Sequence, residues 1–236
     1  SAASDVYKRQ YQETGKNLVH SNFLHSLLLD HSGNVWVGSE FAGVTLLSVL
    51  SEGSYRIYPE HESINDYVNA IRTVVKMPDG GFWFGTRQGN VYAYDKNLEA
   101  ASCYKMPYNY IYAASCDGDG KLWLGTRTMG LCIDGRWYHK MAGDTLSLAH
   151  ENIFDIYRDD KNRMWIGTFG GGLNLAVSRK DRYVFRKFLT GSGRLQEVRM
   201  ITQDNKKRLW VGTNKGLCVF YGDSILSLIH ISEPTR

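Results

Sequence analysis

Short apolar runs and polar turns follow one another in an order that recurs five times along the chain. Each round opens on two apolar residues three positions apart: Leu24 and Leu27, Ile71 and Val74, Ile111 and Ala114, Ile153 and Ile156, Val198 and Ile201. A polar turn follows. Next comes an apolar stretch centred on tryptophan and closed by Gly and Thr or Ser, reading NVWVGS, GFWFGT, KLWLGT, RMWIGT and RLWVGT. A second glycine then leads into another apolar run: GVTLL, GNVYAY, GLCI, GLNLAV and GLCVF. The tryptophans, Trp36, Trp83, Trp123, Trp165 and Trp210, are separated by 47, 40, 42 and 45 residues. Their glycine companions are Gly38, Gly85, Gly125, Gly167 and Gly212. A period in this range is the mark of a repeat architecture.

A unit of this length has room for four strands and their turns. The first strand begins at the apolar pair and the second carries the tryptophan. The third follows the second glycine. An aromatic stretch such as YRIY at 55–58, WYHKM at 137–141 or YVFRKF at 183–188 supplies the fourth. Asp30, Asp117, Asp159 and Asp204 stand six residues before their tryptophans, in turns where an Asp side chain can hold its own backbone. The second unit has a shorter turn and uses Asp79. No helical periodicity interrupts the series. A lone four-stranded sheet cannot bury both faces, whereas radial stacking can, so the pattern predicts an all-β protein, a β-propeller of about five four-stranded blades. The tryptophans are expected to wedge between blades. Five blades can close a ring; the expectation is an incomplete arc of a larger propeller of the seven-bladed type.

Composition fits this picture. There are 24 glycines against 4 prolines, and 15 Tyr, 9 Phe and 6 Trp, as expected of short strands and tight turns. The 28 Lys and Arg nearly balance 24 Asp and Glu, which argues against nucleic acid as a partner. No apolar run is long enough to span a membrane. Residues 1–10, SAASDVYKRQ, and 226–236, LSLIHISEPTR, read as in-frame translations of the adapters ligated to DNA for sequencing. The expected organisation is therefore an adapter-derived scar at 1–10, a propeller fragment at 11–225 and a second scar at 226–236, within a longer gene.

The unit Ile-x-x-Ile-x-x-Asp-x-x-Gly-x-Leu-Trp-Ile-Gly-Thr-x-x-x-Gly-Leu resembles the two-component regulator propeller repeat. Ile153, Ile156, Asp159, Trp165, Gly167, Thr168, Gly172 and Leu173 carry the likeness in the fourth unit, and Ile111, Asp117, Gly120, Trp123, Gly125, Thr126, Gly130 and Leu131 in the third. LSLAHENIFDI at 146–156 is similar to the linker that precedes such repeats. The resemblance implies a periplasmic sensor region of a hybrid histidine kinase from Bacteroidota-like bacteria. The parent protein would be anchored in the inner membrane, dimeric, and responsive to an oligosaccharide or other small ligand. The fragment itself would be non-enzymatic, with the kinase elsewhere. A protein-binding adaptor and a propeller-type polysaccharide or antibiotic lyase are the alternatives.

Other chemistry finds little support. DGDGK at 117–121 lacks the further oxygen ligands of a calcium loop, and its counterparts DDKNR and DNKKR carry cations there. GTFGGGLN at 167–174 lacks the Lys and the helix of a phosphate loop. Cys103, Cys116, Cys132 and Cys218 and the histidines share no metal spacing, so no metal or cofactor is expected. Candidate ligand contacts are the residues that vary where the scaffold does not. After Gly-Thr or Gly-Ser these are Glu40, Arg87, Arg127, Phe169 and Asn214. Arg87 and Arg127 could hold a carboxylate or an acidic sugar, or pair with neighbouring loops. Tyr67, Tyr108, Tyr110 and Trp137, near the junctions between units, are candidate stacking platforms for sugar faces. An incomplete ring would leave blade faces open, so the chain is expected to be poorly soluble or multimeric.

Overall fold

The computed structural model describes residues 21, 23–40, 42–47, 54–59, 69–107, 110–190, 196–221 and 224–229. These contain strands and turns, with no α-helix among the described residues. The strands form five antiparallel meanders. The first blade comprises β1 (Leu24–Leu29), β2 (Val35–Ser39), β3 (Val44–Leu47) and β4 (Ser54–Ile57); the second comprises β5 (Ile71–Lys76), β6 (Phe82–Thr86), β7 (Asn90–Tyr94) and β8 (Ala100–Lys105). Blade 3 holds β9 (Ile111–Cys116), β10 (Leu122–Thr126), β11 (Leu131–Ile133) and β12 (Arg136–Tyr138). Blade 4 holds β13 (Ile153–Arg158), β14 (Met164–Thr168), β15 (Leu173–Arg179) and β16 (Arg182–Phe188). Blade 5 holds β17 (Val198–Gln203), β18 (Leu209–Thr213), β19 (Gly216–Tyr221) and β20 (Ser224–Ile229). The last strand crosses the expected boundary at 225 and pairs along β19. The chain divides into two compact units, Ser1–Tyr110 and Ile111–Arg236.

In four of the five blades the aspartate turn also holds the tryptophan of the second strand. In blade 4, Asp159 Oδ1 accepts hydrogen bonds from the N–H groups of Lys161 (3.0 Å) and Arg163 (2.8 Å). Its Oδ2 accepts the indole N–H of Trp165 at 2.9 Å. The same triad of bonds joins Asp30 to Ser32, Asn34 and Trp36. It recurs from Asp117 to Asp119, Lys121 and Trp123, and from Asp204 to Lys206, Arg208 and Trp210. One carboxylate thus sets the turn and satisfies a tryptophan that packing would otherwise strand without an acceptor. Blade 2 differs. Asp79 holds only the Gly81 N–H among the described bonds (2.9 Å), and half-buried Trp83 stacks on Tyr104 at 5.6 Å.

The next turn position needs a left-handed backbone. Gly33 and Gly120 supply it at φ 80° and 81°, but blades 4 and 5 place Asn162 (59°) and Lys207 (64°) there. A lysine in this region carries about 1 kcal/mol of steric cost. Lys207→Gly should therefore raise stability by a few tenths to about 1 kcal/mol in a urea titration.

Within each unit the tryptophan of one blade packs on the next. Trp36 lies 4.0 Å from the Phe82 ring and shares a core with Ile71, Val74 and Phe84. Trp123 packs with Ile153, Ile156, Met164 and Phe185. Trp165 packs with Val198, Ile201, Val211 and Phe220. The glycine two residues after tryptophan serves the same interfaces. A Cβ on Gly38 would lie 2.9 Å from Ile71 Cγ2, one on Gly125 2.5 Å from Ile153 Cγ2, and one on Gly167 2.6 Å from Val198 Cγ1. The glycine is a notch that the first apolar residue of the following blade fills. Cys132 and Cys218 are buried, as expected of third-strand positions, and burial raises both thiols.

Candidate functional site

Every first strand contains a bulge at the same place. The pairing register slips between Leu24 and Ser26, Ile71 and Thr73, Ile111 and Ala113, Ile153 and Asp155, and Val198 and Met200. The skipped residues are His25, Arg72, Tyr112, Phe154 and Arg199. A bulge re-aims its side chain away from the pleat. Beside it lies the residue after Gly-Thr or Gly-Ser, whose N–H bonds to the carbonyl at the head of the same blade. The pairs are Glu40 to Phe23 (3.0 Å), Arg87 to Ala70 (2.9 Å), Phe169 to Asn152 (3.0 Å) and Asn214 to Glu197 (3.2 Å). Bulge and turn residues therefore share one edge in blades 1, 2, 4 and 5.

In the first unit this edge is ionic. Glu40 is buried and accepts from Arg87 Nη1 at 2.6 Å, lies 3.2 Å from Arg72 Nη2, and pairs with His25. Arg72 Nη1 is 3.0 Å from His25 Nδ1. Burial pushes the Glu40 carboxyl up, but the bond from His25 and the charge of Arg72 outweigh it and hold the group below its ordinary value. Arg87 also lies over the Tyr110 ring at 5.7 Å. Glu40 and Arg87, both candidates from sequence, thus meet each other, with Tyr110 beneath. The pairing of Arg87 to a neighbouring loop, rather than exposure of a bare cation, is the reading this geometry favours.

In the second unit the edge is aromatic. Tyr112 and Phe154 stack at 5.4 Å and 20°, and Phe154 meets Phe169 at 5.4 Å. The Arg199 guanidinium covers both phenylalanines, at 4.4 Å and 5.2 Å, with Glu197 3.3 Å away. Cation–π contacts of this kind hold the side chains together, and Arg199 is an exposed residue. Arg127 and Asn214 are exposed at their turns. Trp137 is elsewhere, half-buried on the outermost strand β12 with its ring 6.1 Å from that of His139. Tyr67 and Tyr108 lie outside the described residues. The bulge residues were missed from sequence; their signal is a variable position directly after the first apolar residue of each unit.

One acid sits just inside this edge. Asp155 on β13 accepts the N–H of Ile156 (2.9 Å) and, across to the next blade, that of Ile201 on β17 (2.5 Å). Burial pushes its pKa from 3.8 up to about 6, against the pull of those two bonds. The sign follows from linkage. A raised carboxyl favours the folded state fully below pH 3.8, and that contribution is lost as pH rises through about 6. Wild type should therefore lose melting temperature relative to Asp155→Asn between about pH 4 and 7; parallel curves for the two proteins would refute this assignment. Among the described residues no cluster of His, Cys, Asp and Glu fits a metal ion.

The sequence profile of the two component regulator propeller family matches residues 105–128, 147–170 and 192–215. These three segments are similar to two component regulator propeller repeats. The matched segments cover the turn and tryptophan strand of blades 3, 4 and 5, where the aspartate bonds and glycine notches recur. Histidine kinase P4 of Formosa agariphila is 23% identical over 209 residues, covering 81% of this chain and 15% of that protein. The extracellular domain of a B. thetaiotaomicron protein described as a hybrid two component system superposes with a TM-score of 0.68 at 24% identity, covering 86% of this chain and 28% of that one. Virginiamycin B lyase from Staphylococcus aureus superposes at 0.67 with 13% identity, over 90% of this chain and 71% of the lyase. The chain thus spans 15% of the kinase and 28% of the extracellular domain. These likenesses establish the β-propeller fold of the repeats.

Proposed function

We propose that these regulator propeller repeats are the ligand-sensing region of a two-component sensor of the hybrid histidine kinase type, carry no catalysis themselves, and bind an oligosaccharide at the bulged edge. The five blades are read as an arc of a larger ring. The parent protein would be dimeric and anchored in a membrane, with this region on the periplasmic side. The likeness to a histidine kinase and to an extracellular two-component domain supports the class. The observation that carries the site is the common bulge. Five blades with one scaffold each bring a bulged side chain, His25, Arg72, Tyr112, Phe154 or Arg199, of four residue types in all, to the corresponding edge of its own blade. In the second unit these include stacked aromatic faces of the kind that meet sugar rings, beside exposed Arg127 and Arg199 for acidic groups.

Isothermal titration of the chain against a panel of neutral and uronate-containing oligosaccharides tests this. Binding is expected to fall at least tenfold, about 1.4 kcal/mol, in Phe154→Ala and Arg199→Ala, with Asn97→Ala, in the turn between β7 and β8, as the unaffected control. Binding that ignores both substitutions, or no binding across the panel, would sink the proposal.

A further inference from the structure

The bulged edge of the second unit combines two kinds of side chain. Tyr112 and Phe154 stack face to face and so fix each other. Arg199 has a long, freely rotating side chain, and it stays over an aromatic face only where its backbone is held beside that face. What holds it is visible on both sides of the bulge.

Before Arg199, Phe169 and Glu197 pair as a single antiparallel bridge, and the Gln196 carbonyl accepts the N–H groups of Gly170 (2.8 Å) and Gly172 (2.9 Å). After Arg199, Asp155 Oδ2 accepts the Ile201 N–H at 2.5 Å, while its Oδ1 stays on the Ile156 N–H of its own blade at 2.9 Å. β17 lies at the end of its sheet, and Asp155 takes an N–H that the ladder to β18 leaves over. Glu197 and Ile201 each stand two residues from Arg199, so the bulge is a short span between two fixed points. Phe169 belongs to the first point and Phe154 adjoins Asp155 in the second; these are the two rings beneath the guanidinium, at 5.2 Å and 4.4 Å. The carboxylate tie is peculiar to this blade. Ser26, Thr73, Ala113 and Met200 hold the corresponding position in the others, and none of them offers two acceptor oxygens. The carboxyl is held there against burial, which pushes its pKa up to about 6.

We infer that Asp155 is a positioning residue of the bulged edge: by tying β13 to β17 it keeps Arg199 over Phe154 and Phe169, where the guanidinium can meet an acidic group of a ligand stacked beside it. This deepens the proposed function and rests on it for the ligand, but not for the geometry. Asp155 itself need not touch the ligand. It acts through the backbone of the next blade, and its removal should loosen Arg199 without unstacking Tyr112 from Phe154.

Nuclear magnetic resonance of the arginine side chains in the whole chain reads this geometry without a ligand. In wild type the Arg199 Nε–H and Cδ protons are expected upfield of a solvated arginine, shielded by the two rings, and are assigned by their loss in Arg199→Lys. Asp155→Ala, which matches the residue of blade 3 at this position, should lose most of that displacement. Asp155→Asn keeps one acceptor oxygen and should fall between. Trp83→Ala, weakened in the first unit, should leave the Arg199 signals in place, which separates positioning from lost stability. Affinity for the tightest-binding uronate oligosaccharide of the panel should fall by about 2- to 30-fold in Asp155→Ala, the range of indirect couplings. Cooperative melting confirms that the variants fold, and Asp155→Asn carries both measurements if Asp155→Ala fails that check. The inference is overturned if Arg199 keeps its displacement in the folded variants, or loses it while affinity stays at the wild-type value. A wild type that binds nothing in the panel sinks the proposed function instead, and the Arg199 signals then decide the positioning by themselves.

Discussion

Replacing Trp165 with alanine should destabilise the protein by about 3–5 kcal/mol, measured by urea unfolding of the whole chain. Trp165 is fully buried, and its ring meets Phe188 of its own blade at 5.7 Å and, across the interface, Phe220 of blade 5 at 6.3 Å. Arg163 lies over the same ring at 5.2 Å. Truncation opens a cavity between two sheets whose backbones are fixed by their own ladders, so the site cannot collapse to refill it. It also withdraws one donor from Asp159, although Arg163 Nε, at 2.6 Å, remains on the same oxygen. Trp83→Ala is the informative comparison. That ring is half-buried, stacks on exposed Tyr104 and has no aspartate acceptor in the described bonds, so its loss should cost well under half as much. Equal losses at the two positions would mean that the indole's surroundings do not decide its contribution.

Gly167→Ala is expected to cost about 1–3 kcal/mol, and Gly125→Ala a similar amount, although alanine is ordinarily the better strand residue. The added methyl would lie 2.6 Å from Val198 Cγ1 in one case and 2.5 Å from Ile153 Cγ2 in the other, distances that force the neighbouring blade outward. Gly212→Ala serves as the internal control. Its methyl meets nothing closer than 3.6 Å, so stability should change by no more than about 0.5 kcal/mol. These glycines lie outside the positive-φ set, so close approach rather than backbone freedom is what the experiment isolates. A cost at Gly212 matching that at Gly167 would point to a backbone requirement and refute the notch.

The five-blade architecture was legible because each blade repeats its constraints in the chain. The aspartate six residues before tryptophan, the glycine two after it and the apolar pair at the head of the unit each correspond to one contact. Where a constraint is missing, the surroundings change with it: Asp79 stands closer to Trp83, and the indole bond is absent from the described set. The candidate site was only partly legible. Glu40 and Arg87 were identified by their variability, but the sequence left open whether Arg87 met a ligand or a loop, and the answer lay 47 residues away in the chain. The bulge was written in the apolar spacing of three, which a regular strand of period two would split between its two faces, but that spacing passed as an ordinary strand. Asp155 escaped notice because its partner N–H belongs to the backbone of another blade.

The bulge also bears on how such a protein changes over generations. It is made by backbone register alone, and it accommodates histidine, arginine, tyrosine and phenylalanine in turn without altering the ladder on either side. Substitutions there change contacts along the blade edge, among bulge and turn residues, rather than the buried tryptophan and glycine interfaces. A change of side chain at the bulge therefore leaves the strand pairing of its own blade in place.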